Sequence, residues 1–189
     1  MRSLLKVSYA GEKGFEIHVE NDSMPKIYEK INKVGGKYKL IHFGMLAHDS
    51  MRLEKNYRSW KSDLTSDYTM LQSGLDRWVN FKKEKFIGRD ALLKETEIGI
   101  TKKFVTLVVE DPEDSEPFGE PVYLSPVFAG DNYLGPVVSS GYGHRVKKSI
   151  SMAILDDRNL NGLNDQIHIN VLGRKRKAHI VKEALYDPE

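Results

Sequence analysis

The chain has 189 residues, 40% of them apolar, with 29 basic and 27 acidic side chains, a net charge of +2 and no cysteine. That is enough apolar material for one good domain or two small ones, and it excludes an intrinsically disordered chain. Disulfides, thiolate zinc sites and cysteine nucleophiles are excluded, and so even a charge balance does not call for a nucleic-acid partner.

No stretch approaches the ~18 consecutive apolar residues of a membrane span. The apolar run in Met1–Val7 is too short for a signal peptide. The expectation is a cytoplasmic protein with no membrane partner. Leu4, Leu5 and Val7 predict a strand almost at once, as in a piece cut from a longer protein. Phe15, Ile17 and Val19 then alternate with Glu16, His18 and Glu20, the period of a half-buried strand. Between them Gly11 and Gly14 suit a tight reversal with positive backbone dihedrals. Two readings stay open here. One is an ordinary hairpin; the other is a binding turn that offers the Tyr9 hydroxyl and the Glu16 carboxylate to a polar ligand.

Ile27, Ile31 and Val34 share one face of a helix over 24–34, with Ser23 as N-cap, Pro25 in the first turn and Gly35-Gly36 as the stop. Its expected role is to cover a sheet. Leu40–Phe43 reads as a short strand and Met45–Lys55 as a second helix. In that helix Asp49 and Arg52 can pair, and with Glu54 they read as a solvated face. A long loop over 56–69 carries Tyr57, Trp60 and Tyr68, aromatics placed to cover a pocket or a neighbouring domain. Met70–Leu75 predicts one helical turn, Trp78–Phe81 a strand, and Asp90–Lys94 a helix with Leu92 and Leu93 inward.

Residues 95–101 form the expected boundary. Beyond Lys102, short β-rich runs at 104–109, 121–124, 133–138, 149–155, 167–172 and 177–181 alternate with Gly, Pro, Asn and Asp clusters. That texture predicts a small antiparallel barrel or sandwich. Asn159–Asp165 reads as a turn. The fold class is α+β, with domains at 1–98 and 99–189.

Six histidines are scattered, and no two of them have the helical i, i+4 spacing with a carboxylate that a metal site uses, so no metal site is expected. His48, inside the charged helix, stands apart from the others. Gly141-Tyr142-Gly143-His144 lacks the lysine-serine ending of a phosphate loop and reads as a bend. Arg174-Lys175-Arg176-Lys177 reads as a solvated turn, with RNA contact as the alternative. No Ser-His-Asp order stands out.

Three stretches carry a family resemblance. Tyr9-Ala10-Gly11-Glu12-Lys13-Gly14-Phe15-Glu16 resembles the signature of the aminomethyltransferases, the glycine-cleavage T-proteins. Ala47-His48-Asp49-Ser50-Met51-Arg52-Leu53-Glu54 resembles their Ala-Arg-Asp…Arg-Leu-Glu helix, and Gly135–Gly141 their Gly-x-Val-Thr-Ser-Gly strand. A finer likeness, to the folate-binding region of dimethylglycine and sarcosine dehydrogenases, rests on Tyr57-Arg58-Ser59-Trp60, Asp63-Leu64-Thr65, Phe86-Ile87-Gly88-Arg89, Gly141–His144 and Leu185–Glu189.

The resemblance implies a three-domain cloverleaf with tetrahydrofolate in its central hole, of which this chain is the second half, ending in a barrel. It implies that Glu16 accepts hydrogen bonds from the pterin and that Tyr9 lines the same pocket. His48 stands where T-proteins carry a folate-contacting arginine, and Arg77 at or near a tryptophan position. The family's catalytic aspartate belongs to the N-terminal half, so no catalytic residue is assigned and the chain alone is expected to be inactive. The implied function is the C-terminal part of a tetrahydrofolate-dependent aminomethyltransferase or demethylating enzyme, partnered by an N-terminal half or an FAD domain outside this chain. The alternative is a non-catalytic folate-binding or interaction module.

Overall fold

The computed structural model describes residues 3–110, 119–160, 166–182 and 184–187. Its second half is built from strands that are apolar without alternation, such as Ile150-Ser151-Met152-Ala153-Ile154-Leu155. Such runs arise when both faces of a strand are covered. Strands β3 (Lys102–Val109), β4 (Pro126–Ala129), β5 (Asn132–Gly143), β6 (Lys148–Asp156), β7 (Ile167–Val171) and β8 (Arg174–Val181) close a barrel in the order β3-β6-β5-β4-β7-β8. Every pairing is antiparallel. Closure leaves no unpaired sheet edge.

Val105, Leu107, Val137, Ala153, Leu155 and Ile169 belong to the barrel core. The alternate residues Phe104, Val138, Ile150, Met152 and Ile154 form a second core with Leu53 of a helix packed outside. That helix is α2 (Met45–Glu54), and its neighbours in sequence are β1 (Ser3–Leu5), β2 (Glu16–His18), α1 (Met24–Gly35) and α3 (Arg89–Ile98).

Helix α2 is held to the barrel by charge as well as by Leu53. Arg52 and Glu54 are both buried. Arg52 Nη1 donates to Asp63 Oδ2 at 2.6 Å, Nη2 donates to Ser139 Oγ at 2.9 Å, and Nε donates to Asp49 Oδ1 at 3.0 Å. Asp63, fully buried, also accepts from the Ser139 hydroxyl and from the Ser59 amide. A bulge in β5 between Val137 and Ser139 lets consecutive residues Val138 and Ser139 both serve the helix side. Glu54 Oε1 accepts from the amides of Arg145 and Val146 at 2.8 and 3.2 Å. The helical charges therefore do not form the solvated face that their spacing suggests; Asp49–Arg52 pairing is present, but inside a network that welds helix to sheet.

The first half departs from expectation in several places. Leu40–Phe43 is not a strand. Helix α1 ends in a left-handed Lys39 (φ 57°), with Leu40 N bonded to Gly35 O and Lys39 N to Gly36 O, a Schellman ending that folds Leu40 back instead of extending it. Trp78–Phe81 is not a strand either: a 3-10 turn runs over Asp76–Trp78. Pro121–Leu124 makes a turn before β4, which starts at Pro126. The basic run 174–177 opens β8, and Arg176 is buried, donating to the Glu110 carbonyl at 2.8 and 3.1 Å and to the Gly119 carbonyl at 3.2 Å. Of the expected turn at 159–165, residues 161–165 lie outside the described residues.

Helix α1 forms as its periodicity requires, yet none of its residues is buried, and Ile31 and Val34 are among the exposed large apolar side chains. The same holds for Leu4 and Ile17 on one face of the β1–β2 ribbon. A two-stranded ribbon is marginal in water without a covering layer. The apolar pattern of this half is made to be covered, and the described residues do not cover it.

Breaking a buried ion pair by removing one partner leaves the other charge uncompensated. Arg52→Met should therefore lower the unfolding free energy by about 3–5 kcal/mol, measured by urea denaturation. The double variant Arg52→Met, Asp63→Leu should recover part of that loss. Additive losses would show that the pair does not couple.

Candidate functional site

Helix α2 ends on a residue that can take left-handed geometry. Asn56 (φ 61°) gives Tyr57 N to Arg52 O at 2.9 Å and Asn56 N to Leu53 O at 3.0 Å. Its side chain accepts from Thr106 Oγ1 of β3 at 2.7 Å. This fixed ending sends Tyr57 and Arg58 into a cleft of about 890 Å³. The opposite walls are Tyr9 from the first turn, Arg77 and Trp78 from the 3-10 turn, and Lys182 and Asp187 near the C-terminus. The volume lies within the range of small-molecule sites.

The turn that carries Tyr9 uses its two glycines differently. Gly11 takes the positive dihedral (φ 76°). Gly14 does not; a Cβ there would sit 2.6 Å from the Val7 carbonyl oxygen, so close backbone approach is its reason. The ring of Tyr9 stacks on Tyr57, with centroids 6.2 Å apart, and tilts against His48 at 5.1 Å. The Tyr9 hydroxyl and His48 Nδ1 are buried without a hydrogen-bond partner among the described residues. A buried polar group left without a partner costs about 1–3 kcal/mol.

Arg77 is exposed, its guanidinium 5.1 Å from the Trp78 ring. Arg58 sits deeper, 4.2 Å over the Phe104 ring. Gly74 makes room for it: a Cβ at Gly74 would lie 2.8 Å from Arg58 Nη2. Burial pulls the Arg58 guanidinium below its ordinary pKa; Asp63 opposes that, Arg77 adds to it, and Asp76 opposes it.

Of the four residues singled out from sequence, Tyr9 and Arg77 line this cleft and His48 packs on Tyr9. Glu16 is not among the lining residues. It pairs with Leu5 across the ribbon, on the face opposite Leu4 and Ile17. Its side chain is 60% exposed, and Oε2 lies 3.1 Å from His18 Nε2.

Sequence reasoning did not single out Arg58 as a site residue; its signals were its place among aromatics in a long patternless loop and in the Tyr57-Arg58-Ser59-Trp60 stretch of the family likeness. The C-terminal tail was missed as a structural wall. Tyr186 donates to Glu12 Oε1 at 3.0 Å and lies under the Arg145 guanidinium at 4.3 Å, while Lys55 pairs with Asp187. These contacts tie the tail to the turn that carries Tyr9. Among the described residues no group of three histidine or acidic side chains could hold a metal, and no helix is long and apolar enough to cross a membrane.

Comparison with known proteins places this geometry. Residues 2–83 match the profile of the GCVT N-terminal domain, and residues 102–187 that of the glycine cleavage T-protein C-terminal barrel domain. An aminomethyltransferase of Thermoanaerobacter pseudethanolicus is 33% identical over 181 residues, covering 96% of this chain and 47% of the relative. The mitochondrial dimethylglycine dehydrogenase of Mus musculus is 29% identical over 182 residues, covering 96% of this chain and 20% of the relative. The crystal structure of the glycine cleavage system aminomethyltransferase T of Bartonella henselae superposes with a TM-score of 0.82 at 22% identity, over 97% of this chain and 49% of that one, a likeness of fold. The chain thus spans about half the length of the aminomethyltransferases it matches. With two adjacent profiles of one family laid along nearly its whole length, the chain belongs to the aminomethyltransferase (glycine-cleavage T-protein) family.

Proposed function

We propose that this chain is the C-terminal portion of a tetrahydrofolate-dependent aminomethyltransferase or demethylating enzyme, acting in transfer of a one-carbon unit from an amine donor to folate. The observation that carries this reading is that Tyr9 and Arg77 line one cleft, with His48 packed on the Tyr9 ring and with the Tyr9 hydroxyl and His48 Nδ1 buried without partners among the described residues. Tetrahydrofolate suits such a cleft, because its aromatic portion can lie on the Tyr9 and Tyr57 rings and its polar edges can complete the orphaned groups. When bound it supplies the nitrogen that accepts the one-carbon unit.

Among these residues, Tyr9 and His48 orient the ligand. Glu16 takes the aminopyrimidine edge, since an ionised carboxylate can accept two parallel N–H bonds. In this half that carboxylate stands on an exposed ribbon, which fits a wall completed from the other side. The uncovered apolar face of β1, β2 and α1 is the seat for that other half, and the greater length of the relatives matches it. The division at residues 98 and 99 follows, with the folate-binding body before it and the barrel after it. No catalytic residue is assigned here. A second reading, a non-catalytic folate-binding module, is favoured by His48, a shorter side chain, standing where the family carries arginine.

Two variants of the complete protein test the reading. Glu16→Gln should weaken tetrahydrofolate binding by about 1.5–3 kcal/mol, the worth of a charged hydrogen bond; unchanged affinity by calorimetry would count against it. Tyr9→Phe removes an unpartnered buried hydroxyl, so it should leave thermal stability unchanged or raise it by up to about 1 kcal/mol while tetrahydrofolate affinity falls. Lost stability with intact affinity would make Tyr9 a packing residue.

A further inference from the structure

The turn that carries Tyr9 springs from the β1–β2 ribbon, whose apolar face is exposed. A two-stranded ribbon of this kind does not fix its own position. Beyond the Tyr9 ring, the turn is gripped at Gly11 and at Glu12. Gly11 lies against the stem of Lys55, where an added Cβ would stand 3.1 Å from Lys55 Cδ. Glu12 Oε1 accepts from the Tyr186 hydroxyl at 3.0 Å and lies 3.2 Å from Arg145 Nη1. The same Arg145 nitrogen donates to the Tyr186 hydroxyl, and the guanidinium stands 4.3 Å over the Tyr186 ring. A phenol suits this place because it donates to the carboxylate while it accepts from the guanidinium.

Both residues that grip Glu12 are seated on Glu54. Its carbonyl accepts from the Tyr186 amide at 3.0 Å, and its Oε1 accepts from the Arg145 amide at 2.8 Å. Glu54 is buried next to Leu53 at the end of α2, and Leu185 packs on the same outer core. A continuous set of contacts therefore runs from the buried end of α2, through Tyr186 and Arg145, to Glu12. Glu12 and Tyr9 belong to one tight turn, set by the positive dihedral of Gly11 and the close approach at Gly14. A turn so constrained moves as a unit, so a grip at Glu12 sets where Tyr9 stands.

Global stability is a poor explanation for this grip. The side chains of Arg145 and Glu12 are 56% and 52% exposed, and exposed ion pairs contribute little to folding. Direct ligand contact is no better, since Glu12, Arg145 and Tyr186 are not among the residues that line the cleft. What the grip does fix is the place of the turn relative to helix α2. We infer that Tyr186, together with Arg145, is a positioning residue that holds the turn at Glu12 and so sets the Tyr9 wall of the cleft for tetrahydrofolate. This rests on the folate reading given above.

The test uses the complete protein, tetrahydrofolate as the probe, and Tyr186→Phe, which keeps the ring under Arg145 and removes only the hydroxyl. Amide hydrogen exchange over residues 8–14 should quicken while that of the barrel strands stays as it was. Tetrahydrofolate affinity by calorimetry should fall about 2–10-fold, the range spanned by one hydrogen bond. Glu12→Ala should weaken binding by a similar factor, and the two changes together by no more than either alone, because they cut one tie. Tyr9→Phe should cost less affinity in the Tyr186→Phe background than in the wild type; a role confined to stability would leave that cost whole. Wild-type affinity in Tyr186→Phe, or unaltered exchange over residues 8–14, would overturn the positioning role and leave the folate reading standing. If the wild type binds no tetrahydrofolate, the folate reading falls and the positioning role falls with it.

Discussion

The buried contact between Arg52 and Asp63 holds the two halves of this structure in register. Asp63 is fully buried and Arg52 nearly so, and charges removed from water to that degree survive only when every donor and acceptor is matched. Asp49, Asp63, Ser139 and the Tyr57 carbonyl do the matching. Two of these partners lie in the loop after α2 and one lies in the barrel. The pair thus fixes three things at once: the angle of α2 on β5 and β6, the path of the chain leaving the helix, and the position of the bulge that presents Ser139.

The cleft is a consequence of that registration. Once α2 is pinned, Asn56 ends it in left-handed geometry and Tyr57 and Arg58 enter the cavity wall. His48, two turns earlier on the same helix, meets Tyr9 from the first turn. The C-terminal tail closes the arrangement through the Tyr186 amide to the Glu54 carbonyl and through Tyr186 to Glu12. One helix therefore carries both the structural weld, on its Arg52–Glu54 end, and His48, which backs the Tyr9 ring of the cleft. The exposed apolar faces of β1, β2 and α1 make the converse point: this half is well packed where it meets the barrel and open elsewhere.

Much of the fold could be read from residue order, and the exceptions have physical causes. Five of the six barrel strands, all but β4, were legible because β-rich runs between turn residues have few other solutions. Which face of each strand looked inward was not legible, since both faces are buried and the alternation is lost. Helix α1 was legible from Ile27, Ile31 and Val34, but its job was not, because none of its residues is buried in this structure. The charges of α2 misled: spacing shows that Asp49 and Arg52 can meet, and says nothing of a buried aspartate eleven residues on. Arg176 misled for the same reason, its partners being the distant carbonyls of Glu110 and Gly119. Tyr9 and Glu16 were found through a motif, yet the motif did not foretell that the two would sit on different surfaces of this half. The arginine-lined side of the cleft was least legible of all, because the loop that supplies Arg58 has no period to read.

The most direct measurement is a crystal structure of the complete protein with tetrahydrofolate. The account predicts that the aminopyrimidine edge meets the Glu16 carboxylate and that the aromatic portion rests on Tyr9. A folate seated elsewhere, with Glu16 still open to bulk water and the Tyr9 hydroxyl still without a partner, would contradict it.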